Sequence, residues 1–441
     1  MSKQELFLKN AFAAAVAAAD PQLIVPEHLA RIFSPEDRPK GRCLVVGAGK
    51  ASASMASALE AYASVHWPEV TLEGVVLTRY GHQAPTSHIQ IIQAGHPVPD
   101  QAGMDGAVAL LALVQTLKPG DVLIALVSGG GSSLLTLPQD GIGIDDLRHT
   151  TETLLRSGAP IEEMNIVRKH LSAILGGNLA RAAMARGARV EALLISDVTG
   201  DDPADIASGP CAADYSTYQD ALDILAKYLM DAESIPQSVM QHLLRGAAGQ
   251  IPETLKEADL VGAQVTNHVI ATAYKSLEAA AAYIQQEGYE PIILGDMITG
   301  EAHEVAMEQS IIAQAYTVDQ QSKARPIAFI SGGECTVTLP VGIKGRGGRC
   351  SEFLLSLFSN TFHIPNLSAL AADTDGIDGS ETNAGAWFVP QSRYAANELG
   401  LMPAPFLNEH DCYGFFEQID CLVETGPTLT NVNDFRIILL D

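Results

Sequence analysis

Basic residues are scarce in this chain. Of its 441 residues only 27 are Lys or Arg, against 52 Asp or Glu, a formal net charge of −25 at pH 7. Such an excess of negative charge repels nucleic acid and anionic membrane surfaces, which excludes both as partners. Cysteine is sparse as well. Cys43, Cys211, Cys335, Cys350, Cys412 and Cys421 are dispersed, with no Cys-x-x-Cys pair and no Cys/His group at zinc spacing. That excludes a disulfide scaffold and a structural zinc site, and a reducing, cytoplasmic setting is expected. No apolar run approaches the ~20 residues that span a bilayer. The alanine-rich stretch AFAAAVAAA imitates the apolar part of a signal peptide. Glu5 sits where such a peptide carries positive charge, so we read an amphipathic helix from about Lys3 to Asp20.

Apolar residues and glycine are plentiful, at 47% and 38 residues. The length suits two or three domains with large cores. Short β-branched and apolar runs predict strands at Leu44–Val46, Leu72–Thr78, Ile89–Ala94, Asp121–Val127 and Glu191–Ser196, with helices between them. Helices are expected within Asp145–Ala185 and Tyr218–Ala247. The composition turns polar over Gly249–Glu257, and a second alternation follows. It has strands near Leu260–Val265, Pro291–Gly295, Pro326–Ser331 and Leu367–Ala372, a helix from about His268 to Glu287, and a closing strand in FRIILL. The expected fold class is α/β: a larger, Rossmann-like N-terminal domain over residues 1–248 and a smaller α/β domain over residues 249–441.

The few cations gather where glycine does. Gly47-Ala48-Gly49-Lys50 follows the first strand and opens an alanine-rich helix, an arrangement that aims backbone N–H groups at an anion. It is not a P-loop, because Leu44 and Ala51 stand where that motif needs Gly and Ser or Thr. Nor is it a full dinucleotide fingerprint, because Ser52 occupies the third glycine position. Ser128-Gly129-Gly130-Gly131-Ser132-Ser133 ends a second core strand and offers another nest of N–H groups. Arg168 and Lys169 lie in a predicted helix. Gly342 to Arg349 interleaves Lys344, Arg346 and Arg349 with Gly345, Gly347 and Gly348, and arginine forks match phosphate or carboxylate oxygens.

Carboxylates cluster at other strand ends. Asp197, Asp201 and Asp202 follow one strand, and Asp373, Asp375 and Asp378 another. Either group suits magnesium or helix capping, and the second lacks EF-hand spacing. Cations to hold phosphates and acids to hold magnesium are the parts of phosphoryl transfer.

The segments VVGAGKASASMA, AGHPVPD, LVSGGGSSLL, NIVRKHLSAILGGNLA, ISDVTGDDPADIASGP, SGGECTVTL, GRGGR, DTDGIDGSETNAGA and TGPTLTNVNDF together resemble the class II glycerate 2-kinase family, in its order and over nearly the whole chain. That family joins a DUF4147 domain to a MOFRL domain. The resemblance implies transfer of the γ-phosphate of ATP, with magnesium, to the 2-hydroxyl of D-glycerate, in a cleft between two α/β domains. It implies catalytic roles for Lys50, Arg346 and Asp197, with Lys50 and Arg346 facing each other across the cleft. Phosphate or substrate binding is expected at Gly47, Gly49, Ser128, Gly129, Gly130, Gly131, Ser132, Arg168, Gly345, Gly347 and Arg349. Metal ligation is expected among Asp197, Asp373 and Asp375.

The chain departs from the family after GRGGR, with Cys350-Ser351-Glu352 in place of Asn-Gln-Glu. The partners expected are small molecules, glycerate and ATP, with a homodimer as the candidate assembly. Relatives have also carried the label hydroxypyruvate reductase. An NAD(P)H-dependent reductase of hydroxypyruvate or tartronate semialdehyde is therefore the alternative, with Arg79 beyond the second strand as its 2′-phosphate contact. A non-catalytic sensor of the same ligands is a third reading.

Overall fold

The computed structural model describes residues 2–228, 235–319, 326–340, 342–343 and 345–441. Their contacts form two compact units, residues 21–270 and, in two pieces, residues 1–20 with 271–441. The opening helix, α1 (Lys3–Ala17), thus belongs with the C-terminal half. A capping box starts it: Ser2 Oγ accepts the Glu5 amide at 3.0 Å and Glu5 accepts the Ser2 amide at 3.2 Å. Its apolar face (Phe7, Leu8, Ala11, Phe12, Ala15) is buried, with the Phe7 ring 4.5 Å from Tyr289 and Phe12 5.9 Å from Phe435.

The unit of residues 21–270 is a six-stranded sheet wrapped by helices. In chain order it runs α2 (Pro21–Ile32), β1 (Arg42–Ala48), α3 (Ser52–His66), β2 (Thr71–Arg79), β3 (Ile89–Ala94), α4 (Gln101–Val114), β4 (Val122–Ser128) and α5 (Gly131–Leu134). Then come α6 (Ile144–Arg156), α7 (Ile161–Leu171), α8 (Asn178–Met184), β5 (Arg189–Ile195), α9 (Tyr218–Tyr228), α10 (Gln237–Ala247) and β6 (Val265–Ala271). The strand order is β3-β2-β1-β4-β5-β6, with β1 parallel to both β2 and β4. All seven residues of β4 are buried, the unbroken apolar run of a strand covered on both faces. The order reverses between β1 and β4, and doubly wound sheets bind ligands beyond the carboxyl ends of the strands at that reversal.

A strand at Leu260–Val265 and a helix from His268 are what the sequence predicts here. The strand instead lies at Val265–Ala271, beside β5 as the sixth strand of this sheet. The next helix waits until Ala273, where the Thr272 hydroxyl accepts the Lys275 amide at 3.2 Å. This unit therefore runs to Ile270 rather than closing at residue 248.

The second unit continues with α11 (Ala273–Gln286), β7 (Glu290–Gly295), β8 (Gly300–Glu301), α12 (Ala302–Asp319), β9 (Ile327–Ser331), β10 (Cys335–Thr336) and α13 (Arg349–Asn360). It ends with β11 (Leu367–Asp373), β12 (Gly385–Phe388), α14 (Pro390–Glu398), α15 (Pro403–Asn408), α16 (Cys412–Gln418), β13 (Leu422–Val423) and β14 (Asp434–Leu440). Its main sheet has the order β13-β12-β11-β14-β9-β7, and β14 is antiparallel to both β11 and β9. That register sets Asp373 directly opposite Asp434. Two carboxylates so placed repel unless a cation joins them.

Candidate active site

The reversal between β1 and β4 is where the glycine loops meet. Gly47, next to last in β1, lies beside Leu126, whose carbonyl a Cβ would strike. At Gly49 the backbone has φ +146° and passes close over Ser128. The Lys50 amide donates to the Gly129 carbonyl at 2.9 Å, the Ala51 amide to Ser128 Oγ at 3.0 Å, and Ser52 Oγ to the Leu126 carbonyl at 2.9 Å. Thr78 at the end of β2 donates to the Gly49 carbonyl at 3.0 Å. Ser52, the departure from a dinucleotide fingerprint, is thus a buried bolt between the two loops.

Around that bolt the polar side chains converge. Gly130 sits at φ +84°, and the point where its Cβ would be lies 2.8 Å from His96 Nε2 and 3.6 Å from Lys50 Cγ. A Cβ at Gly129 would collide with the carboxylate of Asp197, which follows β5. Lys50, His96, Gly129, Gly130 and Asp197 therefore share one place, each on the carboxyl end of a parallel strand or just beyond it. Sequence reasoning singled out all of these except His96. Its signal was present in the Gly-His-Pro loop that leaves β3.

The serines divide by role. Ser128 accepts the Ala51 amide, and Ser133 Oγ donates to the Gly130 carbonyl at 3.0 Å. Ser132 Oγ lies 2.8 Å from Ser208 Oγ. Ser208 belongs to the run Ala207, Ser208, Gly209, whose φ values are +49°, +57° and +58°. Left-handed backbone costs a non-glycine residue about 1–2 kcal/mol, so surrounding bonds must hold it. They do: the Gly176 amide donates to the Ser208 carbonyl at 3.0 Å and the Gly177 amide to the Gly209 carbonyl at 2.7 Å.

The neighbouring cations on α7 separate in the same way. Lys169 is buried and lies 3.5 Å from both Asp205 and Asp214, a brace for that run. Arg168 is half-buried, and its guanidinium donates to Asn165 at 3.2 Å; among the described residues no carboxylate pairs with it. Burial alone lowers its pKa. A desolvated guanidinium without a carboxylate suits an anionic ligand. A cavity of about 510 Å³ lies at the other, amino ends of β4 and β5. Arg189 in its wall pairs with Glu191 at 2.6 Å and with Asp37 at 2.7 Å, and the cavity lies at the opposite end of the sheet from these loops.

In the second unit much of the glycine-arginine segment is structural. Arg349 donates to Asp434 at 2.7 Å, to Asp373 at 2.8 Å and to Glu334 at 2.8 Å, so it is the cation that β11 and β14 require. Burial disfavours its charge, but Asp434, Asp373 and Glu334 raise its pKa well above the usual arginine value. Burial likewise pushes the Asp434 carboxyl up, and Arg349 with Arg436 overcomes that and holds it below the usual range. Arg349, expected to bind an anion, is engaged here by Asp434, Asp373 and Glu334.

Asp373 and Asp375, the metal ligands expected in this unit, lie at the end of β11 and in the turn that follows it, with Asp373 the partner of Arg349 at 2.8 Å. Asp373 also accepts the Asp375 amide at 3.0 Å, and Asp375 accepts the Ile377 amide at 2.9 Å. No group of three or more His, Cys, Asp or Glu suited to a metal occurs among the described residues. The N-terminus of α13 is filled by Asp378, which accepts the Cys350 amide at 2.9 Å, the Ser351 amide at 2.8 Å and the Ser351 hydroxyl at 2.6 Å. Cys350 is buried and its thiol is pushed well up, so it is inert packing.

Gly345 is packed against the His410 carbonyl and Gly347 against Tyr413. They line a cavity of about 370 Å³ with Glu352 and His410, whose Oε2 and Nδ1 are 2.7 Å apart. Arg346 stacks on the Tyr413 ring at 4.4 Å, pairs with Glu417 at 3.2 Å and is 43% exposed. Arg346 also lies 3.8 Å from Glu381, and Lys344 lies outside the described residues.

Comparison with known proteins agrees with this architecture. Residues 7–244 match the model of DUF4147, described as a domain of unknown function, and residues 327–434 match the MOFRL family. A protein of Agrobacterium vitis, provisionally named hydroxypyruvate reductase, is 47% identical over 98% of this chain and 94% of its own length. The glycerate 2-kinase of Pyrococcus horikoshii is 39% identical over 91% of this chain and 88% of its own. The crystal structure of glycerate kinase from Thermotoga maritima superposes with a TM-score of 0.86 at 33% identity, covering 99% of each chain. The chain belongs to the class II glycerate 2-kinase family, which joins a DUF4147 domain to a MOFRL domain.

Proposed function

We propose that this chain is a D-glycerate 2-kinase, transferring the γ-phosphoryl group of ATP to the 2-hydroxyl of D-glycerate. The observation that carries the reading is the meeting of Lys50, His96 and Asp197 over the Gly129-Gly130 turn, at the reversal of a parallel sheet. The 2-hydroxyl oxygen attacks the γ-phosphorus, its proton is released to solvent, and ADP leaves. Little covalent work falls to the protein, so positioning and charge neutralisation do most of the catalysis.

Lys50, on a backbone bolted to the second loop, neutralises phosphoryl charge, and the N–H groups of Gly129 to Gly131 cradle its oxygens. Arg168 holds an anionic oxygen of the nucleotide or of the glycerate carboxylate. Arg346 is proposed to do the same from the MOFRL domain. Magnesium fits Asp197 as carboxylate ligand, because that ion typically takes one or two carboxylates and fills its remaining sites with phosphate and water. Held there, it supplies neutralisation of the phosphate charge. A cytoplasmic setting and a homodimer remain parts of the proposal, the latter read by light scattering on the purified chain.

Two assays separate this reading from the reductase. ATP with D-glycerate, coupled to enolase, yields phosphoenolpyruvate directly only if the product is 2-phosphoglycerate. Hydroxypyruvate with NADH or NADPH should show no oxidation of the cofactor. The reverse pair of results overturns the proposal.

A further inference from the structure

His96 meets Lys50 and Asp197 over the glycine turn but has no task in the scheme above. Its loop, Gly95 to Asp100, leaves β3 and turns at once into α4. Strands β2 and β3 are parallel and pair Arg79 with Ala94, so Tyr80 and Gly95 leave the sheet side by side. Asp100 closes the loop onto both of them. One of its carboxylate oxygens accepts the Gly103 amide at 2.9 Å, which caps α4. The other accepts the Tyr80 hydroxyl at 2.7 Å, and the Gly95 amide donates to the same carboxylate.

A helix cap needs only the first of these contacts. The others fasten the residue that precedes His96. A Cβ at Gly95 would lie 2.5 Å from the Val98 carbonyl and 3.1 Å from Asp100 Cγ, so the turn closes this tightly only around glycine. From α6, Arg148 donates to the Pro99 carbonyl at 2.7 Å and grips the far side of the loop. Burial favours the neutral Asp100 carboxyl, but its bonds to Gly103, Tyr80 and Gly95, with the Arg148 charge, hold its pKa below the usual value. Asp100 is therefore an ionised acceptor at neutral pH. The loop so held brings His96 Nε2 to 2.8 Å from the point where Gly130 would carry a Cβ. A misplacement of about 1 Å at a reacting centre can cost about 10²-fold in rate, so a fixed loop matters there.

We propose that Asp100 is the positioning residue of His96, and that His96 contacts the group transferred over the Gly129-Gly130 turn. The inference rests on the kinase reading for the identity of that group. His96→Ala should lower kcat about 10²-fold. Asp100→Ser keeps a good helix cap but is too short to reach Tyr80 and Gly95. It should melt near wild type, lower kcat about 10-fold and leave KM for ATP and D-glycerate within about 2-fold. Tyr80→Phe deletes one hydroxyl from a ring that is 58% exposed, and should lower kcat about 3-fold. Both losses should vanish in a His96→Ala background, because Asp100 and Tyr80 act through that ring.

Wild-type kcat in His96→Ala, or in a folded Asp100→Ser, overturns the proposal. A loss of equal size in Asp100→Ser with and without His96 marks a structural cap alone and does the same, as does a change confined to KM. If Asp100→Ser does not fold, Tyr80→Phe and its double variant with His96→Ala decide on the same terms. If wild type fails to phosphorylate D-glycerate, the kinase reading falls separately. The hold on His96 is then judged by hydrogen exchange. In Asp100→Ser or Tyr80→Phe the amides of Gly95, His96 and Val98 should exchange about 10-fold faster, with those of α4 beyond its first turn unchanged. Unchanged exchange in the loop overturns the hold.

Discussion

Single residues in this protein divide between those gathered at the glycine loops and those that brace the scaffold. Lys50 stands at a turn where its backbone is immobilised, so Lys50→Ala should leave the fold intact. It should lower kcat about 10²- to 10³-fold, as removal of a group aimed at transition-state charge does. Steady-state kinetics beside a melting curve reads both, and an unchanged kcat removes Lys50 from the chemistry. Gly129 is the complementary case. A methyl group there collides with the Asp197 carboxylate, so Gly129→Ala should abolish turnover by displacing that carboxylate even where the protein still folds. Arg349 answers differently again. Its loss leaves Asp373 and Asp434 facing each other in the sheet, with Arg436 still paired to Asp434. Breaking such a buried pair costs about 3–5 kcal/mol, and the remaining arginine puts Arg349→Met toward the lower end. Urea unfolding measures it.

Among the elements, β14 carries the clearest pH dependence. The Asp434 carboxyl at its start titrates below its usual range when folded, because Arg349 and Arg436 outweigh its burial. The unfolded chain therefore binds a proton first as pH falls. The stability that Asp434 contributes is complete above about pH 4 and is lost as pH drops through the lower, folded value. Urea midpoints between pH 5 and pH 3 should fall less steeply in Asp434→Asn than in wild type, from a lower starting stability. Equal slopes would show that other carboxylates govern acid unfolding.

Elements were also where the sequence was most and least readable. Strands β1 to β5 follow from β-branched runs that end in glycine or aspartate, and they stand where periodicity expects them. Strand β6 was misplaced because Leu260–Val265 is as apolar as a strand. What moved it was pairing with β5, together with the Thr272 cap that delays the next helix.

At the scale of the molecule, the pairing of α1 with residues 271–441 makes a prediction of its own. Removal of residues 1–20 uncovers the surface against which Phe7, Leu8 and Phe12 pack. Hydrogen exchange should then accelerate in β7, α11 and β14, while the amides of β1 to β5 keep their protection. Equal acceleration throughout would show that the two units do not unfold separately.

The sequence alone determined the α/β class, the large excess of negative charge, and the loops that carry glycine with lysine, serine or arginine. These are local properties, written in periodicity, composition and short spacing. Which partner each cation takes was decided only by tertiary structure. Lys169 and Arg168 are neighbours in sequence, yet one is clasped by Asp205 and Asp214 while the other makes its side-chain hydrogen bond to Asn165. Arg349 and Arg346 share one motif, but the first is locked by Asp434, a residue 85 positions away. His96 and Ser208 became visible for the same reason. Partners brought together by strand order are far apart along the chain, and burial removes the water that would otherwise satisfy them.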